Sequence, residues 1–344
     1  MENIIGGEFK ISIPEITDSN DALCNLFSSG RGALSAILEK MYNEDITMHK
    51  CGREREGGVL LPDYLCSSIT QVCIDRKIPY RFYHIREDLL PDEKDIFTKL
   101  DDNSVVLLIS YFGLIDTDSI AAKIKKHSPN IVIIIDDVQN FYSSSESIFW
   151  DYRFNSYRKW FAVPDGAEIF CKFGVLRCPE KENEFAQYKF SGNILKNFSG
   201  WVNDSICLDL IEKGEEFLDK QYDCKCSKIS KALINQIPYE KIKDVRKRNA
   251  KFIHDELEKL GIKHIYNEMG VPLFIPIFLD NRNEVRKEMF ENNIFTPVHW
   301  LYESEELNGN IKNHIYDTEL SLICDQRYSL EEMEIQIEVL KKCI

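Results

Sequence analysis

Five β-branched residues in a row, closed by two aspartates, constrain this chain more than any other feature. Ile131 to Ile135 (IVIII) carries apolar side chains at every position, so a strand formed there buries both of its faces. Strands of that kind belong inside parallel sheets covered by helices on both sides. The run stops at Asp136 and Asp137, with Gln139 close behind. An acid at the carboxyl end of a buried strand stands where open α/β sheets gather ligand chemistry. Further on, Ser156-Tyr157-Arg158-Lys159 places a lysine shortly after a serine. Its neighbours Tyr157, Trp160 and Phe161 are not a solvated face, and desolvation lowers the pKa of a lysine. Such a lysine can form an imine with a carbonyl compound.

The segments on either side extend the α/β pattern. A short strand leads through Gly58 to Cys66, and a helix follows over 67–77. Strands are predicted at 79–84 and 104–110, the second running into Tyr111-Phe112-Gly113, and a helix at 118–126 precedes the β-branched run. Strands alternating with helices at this spacing predict right-handed crossovers and a mainly parallel sheet. Pro164-Asp165-Gly166 predicts a turn, after which 168–176 returns as an antiparallel strand. Residues 180–235 read as helical, with Trp201, Leu208, Leu210, Ile211 and Phe217 as the buried face. One long helix covers 239–260. Short strands at 262–266 and 271–278, a helix at 283–292, the stretch 320–324 and a last helix at 330–342 complete the chain. At the amino end Phe9, Ile11 and Ile13 alternate up to Pro14, as in a short strand or a packing arm. The predicted organisation is an arm (1–20), a large domain (21–239) and a smaller carboxyl-terminal α+β domain (240–344).

Composition narrows the function. The net charge of -14 argues against a nucleic-acid partner, which needs concentrated lysine and arginine, but leaves room for a local basic pocket around a small phosphorylated ligand. No stretch approaches the roughly 20 apolar residues that cross a bilayer, and the amino terminus lacks the basic start and apolar run of a signal peptide. The 11 cysteines are scattered, and the close pair Cys224 and Cys226 has no second pair to complete a zinc site. Reduced thiols and a cytoplasmic location are expected.

Several residues have two readings. Apolar residues from Ala33 to Met41 recur at helical spacing, so a helix begins near Arg31 or Gly32. Free amides at its start suit a phosphate, and the same serine and glycines also make an ordinary cap. Asp136 reads as a turn cap, or with Asp137 as a metal ligand, although no histidine or carboxylate cluster at matching spacing accompanies them. His299 and Arg327 are either functional or a core imidazole and a surface cation.

Taken in order, Gly30-Arg31-Gly32-Ala33-Leu34, Tyr111-Phe112-Gly113, Asp136-Asp137-Val138-Gln139 and Ser156-Tyr157-Arg158-Lys159 followed by Pro164-Asp165-Gly166 make the chain resemble the fold-type I pyridoxal-phosphate enzymes. Within them it is similar to the DegT/StrS-like sugar aminotransferases, over most of the chain up to Asp325-Gln326-Arg327-Tyr328. The resemblance implies a mainly parallel seven-stranded-type sheet in the large domain and pyridoxal 5'-phosphate as cofactor. Lys159 would hold that cofactor covalently and shuttle the proton. Asp136 would pair with the pyridine nitrogen, chosen over Asp137 because the family spaces this acid three residues before a glutamine or histidine, here Gln139. Gln139 would meet the ring hydroxyl. Gly30, the amides of Arg31 and Gly32 and the Ser156 hydroxyl would surround the phosphate. Tyr64 or Cys66 stands where the family often puts a ring-stacking aromatic.

The implied reaction moves an amino group from an amino acid such as glutamate to a nucleotide-linked keto-sugar for surface polysaccharide. A homodimer with active sites near its interface is implied too. A dehydratase or lyase of the same fold and a non-catalytic binding protein are the alternatives. The family's dehydratases replace the lysine with histidine, so Lys159 points to transamination. Two departures stand out. The serine-to-lysine spacing is short and lacks an intervening histidine, and the asparagine-tyrosine-arginine segment that usually follows is not evident. Both leave the cross-subunit contacts and the sugar open.

Overall fold

A computed structural model describes residues 5–9, 25–44, 58–101, 104–143, 147–172, 174–198 and 200–344. Its strands are β1 (Ile5–Gly6), β2 (Val59–Pro62), β3 (Tyr80–Tyr83), β4 (Val105–Ile109), β5 (Val132–Asp136), β6 (Tyr152–Phe154), β7 (Ile169–Cys171), β8 (Ile275–Phe278), β9 (Ile294–Phe295) and β10 (Glu319–Leu322). The helices are α1 (Gly30–Glu39), α2 (Ser67–Asp75), α3 (Glu93–Lys99), α4 (Thr117–His127), α5 (Phe185–Leu195), α6 (Asp204–Lys220), α7 (Lys228–Ile234), α8 (Tyr239–Leu260), α9 (Arg282–Glu291), α10 (Glu305–Asn308), α11 (Ile315–Thr318) and α12 (Leu330–Cys343).

The β-branched run becomes β5, inside a six-stranded sheet of order β3-β2-β4-β5-β6-β7. All neighbours are parallel except β6 and β7, which are antiparallel. Residues 133–136 of β5 and all of β4 are buried, because helices rather than water cover both faces. Register sets Asp136 beside Ile109 on one side and Phe154 on the other, so three strands end at one level. Among the described residues this sheet has six strands where a seven-stranded type is expected. Phe27 makes only isolated antiparallel bridges, to Ala167 and Lys225, because Ser29 caps α1 two residues later and the chain leaves the extended state.

A second apolar cluster lies at the carboxyl end, with Ala250, Ile253 and Leu257 of α8 packed among Ile277, Met289 and Ile337. Ile5 joins it, because β1 pairs in parallel with β9. The rest of the predicted arm, including Ile11, Ile13 and Pro14, lies outside the described residues. Residues 262–266 give one bridge, His264 to Ile277, rather than a strand. The strand predicted from 271 begins only at Ile275, since the Pro272 and Leu273 carbonyls accept from Arg246 and the Leu273 amide donates to Phe112.

Around helix α6 the predicted buried face is met at Ile211 and, at the core's edge, Phe217, but not at Leu208 or at Trp201 before the helix. Cys207, Ile211, Gly214 and Leu218 are buried, while Trp201 is 93% and Leu208 51% exposed. Small residues set this phase: a Cβ on Gly192 of α5 would lie 2.7 Å from the Cys207 carbonyl oxygen, so only glycine lets the two helices close.

Candidate functional site

The ends of β4, β5 and β6 open into a cavity of about 650 Å³. Alternation along the chain sends the two aspartates different ways. Asp137 is committed to the protein: its carboxylate accepts from Arg153 Nε and from Ser110 Oγ, each at 2.6 Å, and Arg153 also holds Asp118. Asp136 lines the cavity and accepts a single hydrogen bond among the described residues, from the Val138 amide at 2.9 Å. Burial pushes its carboxyl up to about 7, with Asp137 adding to the rise and Val138 and Lys159 opposing it.

Lys159 ends a single 3₁₀ turn, Tyr157–Lys159. Three hydrogen bonds pin that turn. The Tyr157 amide donates to the Gly166 carbonyl at 2.9 Å, Trp160 Nε1 donates to the Val138 carbonyl at 2.9 Å, and Gln326 Nε2 donates to the Trp160 carbonyl at 2.8 Å. The second bond ties the lysine's turn directly to the loop after β5. Asp165 anchors the neighbouring turn by accepting from Ser227 and Asn183, which is a structural use of the Pro164-Asp165-Gly166 segment. The lysine ammonium forms no hydrogen bond or ion pair among the described residues. Its side chain is open to water inside the cavity, yet it sits deep in the molecule. Desolvation lowers its pKa, less than full burial would, and Arg158 adds to the lowering while Glu215 opposes it.

The opposite wall is the start of α1. Ser29 caps the helix in an extended conformation and its Oγ accepts from the Gly32 amide at 3.1 Å. The amides of Gly30 and Arg31 have no partner among the described residues, and both residues line the cavity. Gly32 does not line it. Its amide serves the cap, and its lack of a side chain is explained by the Tyr222 carbonyl oxygen, which a Cβ would meet at 2.3 Å. Ser156 lines the cavity with a hydroxyl that makes no hydrogen bond among the described residues. Gln139 lines it too. Its Oε1 accepts from the Phe112 amide at 2.9 Å and holds Phe112 at φ 56, leaving the side-chain NH2 available.

Of the two candidates for a stacking position, Cys66 lines the cavity and Tyr64 does not. Tyr64 is fully buried among Tyr111, Tyr316 and Trp300, and its hydroxyl has no partner among the described residues. Aromatic rings reach the cavity from elsewhere in the chain, among them Phe154 of β6, Phe274 before β8, and Phe295 and Trp300 at and after β9.

His299 and Arg327 line the cavity as well. His299 Nδ1 lies 2.8 Å from Ser321 Oγ, and its amide donates to Glu319 at 2.6 Å. Burial lowers its pKa to about 3, with Lys159 adding to the effect, so the imidazole is neutral. Arg327 is held by Asp325 at 2.7 Å. Sequence reasoning missed a further ionic group. Arg158 and Lys189 meet Glu215 at 2.7 and 2.8 Å, and Lys189 also reaches Glu8 at 3.2 Å. Burial pushes Glu215 up, but the two cations outweigh it and hold the carboxyl well below the usual range. In sequence Lys189 and Glu215 are ordinary polar residues of amphipathic helices, and nothing distinguishes them.

No protein-family model and no curated protein matches the sequence. Solved structures do. Spr1654 from Streptococcus pneumoniae, a candidate sugar aminotransferase seen in its PMP form, is 14% identical over 93% of this chain and 85% of that one, with a TM-score of 0.66. The sugar aminotransferase CalS13 from Micromonospora echinospora is 10% identical over 92% and 86%, with a TM-score of 0.65. PseC of Helicobacter pylori, an aminotransferase involved in the biosynthesis of pseudoaminic acid, is 13% identical over 92% and 85%, with a TM-score of 0.63. This chain shares their fold: a mainly parallel sheet flanked by helices, fold type I of the pyridoxal-phosphate enzymes.

Proposed function

We propose that the chain is a pyridoxal 5'-phosphate-dependent aminotransferase that transfers an amino group from an amino acid to a keto-sugar. One observation carries this reading. A cavity at the carboxyl ends of three strands collects polar groups that have no partner among the described residues: the free oxygen of Asp136, the Lys159 ammonium, the Ser156 hydroxyl and the amides of Gly30 and Arg31. Buried polar groups such as Asp136 and Ser156 are normally satisfied within the protein, so these two, gathered with the cavity-facing lysine and amides, fit a ligand with complementary groups. Pyridoxal phosphate has them. Asp136 would take the pyridine nitrogen, the Gln139 NH2 the ring hydroxyl, Gly30, Arg31 and Ser156 the phosphate, and Lys159 the aldehyde carbon. Bound there, the cofactor supplies an electron sink for breaking a bond at the substrate carbon that bears nitrogen.

The protein's own share follows from its electrostatics. Asp136, raised to about 7 when unpaired, gains most from a cationic ring nitrogen and stays ionised once that partner arrives. Lys159, with its pKa lowered, releases its proton more readily than an exposed lysine, which suits a group that takes and returns one. Neutral His299 beside it adds no competing charge. The cavity extends past this group to Phe295, Trp300, Asp325 and Arg327, a mixture of rings and charges suited to a sugar bearing a phosphate.

A nucleotide-linked acceptor, a role in surface polysaccharide and a cytoplasmic location are carried over from the family resemblance. Phe198, Trp201, Ile206 and Leu208, close in sequence and each exposed, support a homodimer whose interface would cover them. The separate carboxyl-terminal cluster supports a domain division near residue 240. The test is a half-reaction: single amino acids are added to the cofactor-loaded protein, and conversion to the pyridoxamine form is followed by absorbance. At least one donor is expected to drive conversion. If none does, transamination is refuted and the lyase or dehydratase reading replaces it.

A further inference from the structure

Away from the cavity, the last turns of α8 carry His254 and Glu258, four residues apart and therefore on one face. Gly261 closes the helix at φ 66, a left-handed conformation that glycine adopts freely, and the chain doubles back to bring His264 alongside them. His254 Nδ1 lies 2.8 Å from His264 Nε2, which lies 3.6 Å from Glu258 Oε1. One ligand atom from each residue falls within 4.8 Å of the other two. None of the three lines the cavity.

We propose that His254, Glu258 and His264 bind a divalent transition metal of the zinc class, with water completing a tetrahedral set. The second nitrogen of His264 sits 2.7 Å from the Ile262 carbonyl, which accepts only if that nitrogen carries the proton. The nitrogen facing His254 therefore bears the lone pair, the arrangement of a metal-bound imidazole oriented by a backbone carbonyl. His254 is steadied by stacking on Tyr266, with ring centroids 4.2 Å apart and planes at 14°. The competing cations are occupied: Lys251 pairs with Asp255 and Lys259 with Glu256, leaving Glu258 for the site. Zinc–nitrogen bonds of about 2.0–2.1 Å put two tetrahedral nitrogens about 3.3 Å apart, so the rings need to open by only about 0.5 Å. Two imidazoles and one carboxylate suit zinc, nickel or copper and not magnesium or calcium. Bound there, the metal ties the end of α8 to the segment bridged onto β8.

Isothermal titration of the full chain with zinc chloride tests this, with His254→Gln, His264→Gln and Glu258→Gln as variants. Glu258 is exposed and its substitution leaves the fold intact, which circular dichroism checks for all three. One zinc per chain is expected. Loss of either histidine should weaken it by about 100-fold or more, since even an outer-shell partner is worth 10–100-fold in affinity. Cobalt(II) as a second probe separates this site from the cysteines, because thiolate ligation gives an intense charge-transfer band that imidazole and carboxylate do not. Stoichiometric binding that the histidine variants lose, without a thiolate band, supports the site. Absence of one-to-one binding, equal binding by all variants, or a thiolate band overturns it.

Discussion

Replacing Asp136 with asparagine should make the cofactor-free protein more stable and the cofactor-loaded protein weaker. The carboxyl titrates at about 7 in the folded chain, against about 3.9 unfolded. A folded pKa above the unfolded one means that folding favours the protonated acid. Stability is therefore highest below the unfolded value, falls as pH rises through the interval, and levels off above about 7. A rise of about three units is on the order of 4 kcal/mol at 1.36 kcal/mol per unit. Asparagine keeps an acceptor for the Val138 amide and removes the ionisation. Urea unfolding of the cofactor-free wild type and variant, at about pH 5 and about pH 8, reads the effect. The variant's advantage should grow by about 3 kcal/mol between the two, as most of the titration lies there. With pyridoxal phosphate present the order should reverse, because the variant cannot offer a negative charge to the ring nitrogen. A variant with the wild-type pH slope, or one that binds the cofactor equally well, refutes this reasoning.

Other perturbations separate structural from site roles. Arg153→Leu leaves the buried Asp137 carboxylate without its cation and should cost about 3–5 kcal/mol in urea unfolding. Tyr64→Phe removes a buried hydroxyl that has no partner among the described residues, and should be neutral or stabilise by about 1 kcal/mol, with cofactor affinity unchanged because Tyr64 stands outside the cavity. A cofactor titration monitored by fluorescence checks the second half of that statement.

How much the sequence told depended on whether the deciding interactions were local. β5 and α8 were legible because an unbroken β-branched run and a long amphipathic stretch each have one low-energy solution. The parallel order followed from the crossover spacing. Tyr152–Phe154 escaped because three residues carry no period, and the strand exists through pairing with β5 and β7. Trp201 and Leu208 differ from expectation for a similar reason: hydrophobic size alone points to them, whereas Gly192 and Gly214 let the helices approach along another line. At the site, the strand-end acid and the lysine turn could be read. That Gly32 serves Tyr222, that Tyr64 is walled in by other rings, and that Glu215 meets Arg158 and Lys189 are contacts between distant segments. One sequence without its partners does not display them.

The central claim is that Lys159 carries the cofactor, and one measurement addresses it directly. The purified protein is incubated with pyridoxal phosphate, reduced with borohydride, digested and analysed by peptide mass spectrometry. The account predicts a single reduced adduct on Lys159, absent from Lys159→Ala, whose fold is retained because the ammonium bonds to nothing in the described protein. An unmodified Lys159 peptide, or an adduct spread over surface lysines and unchanged in the variant, would contradict it.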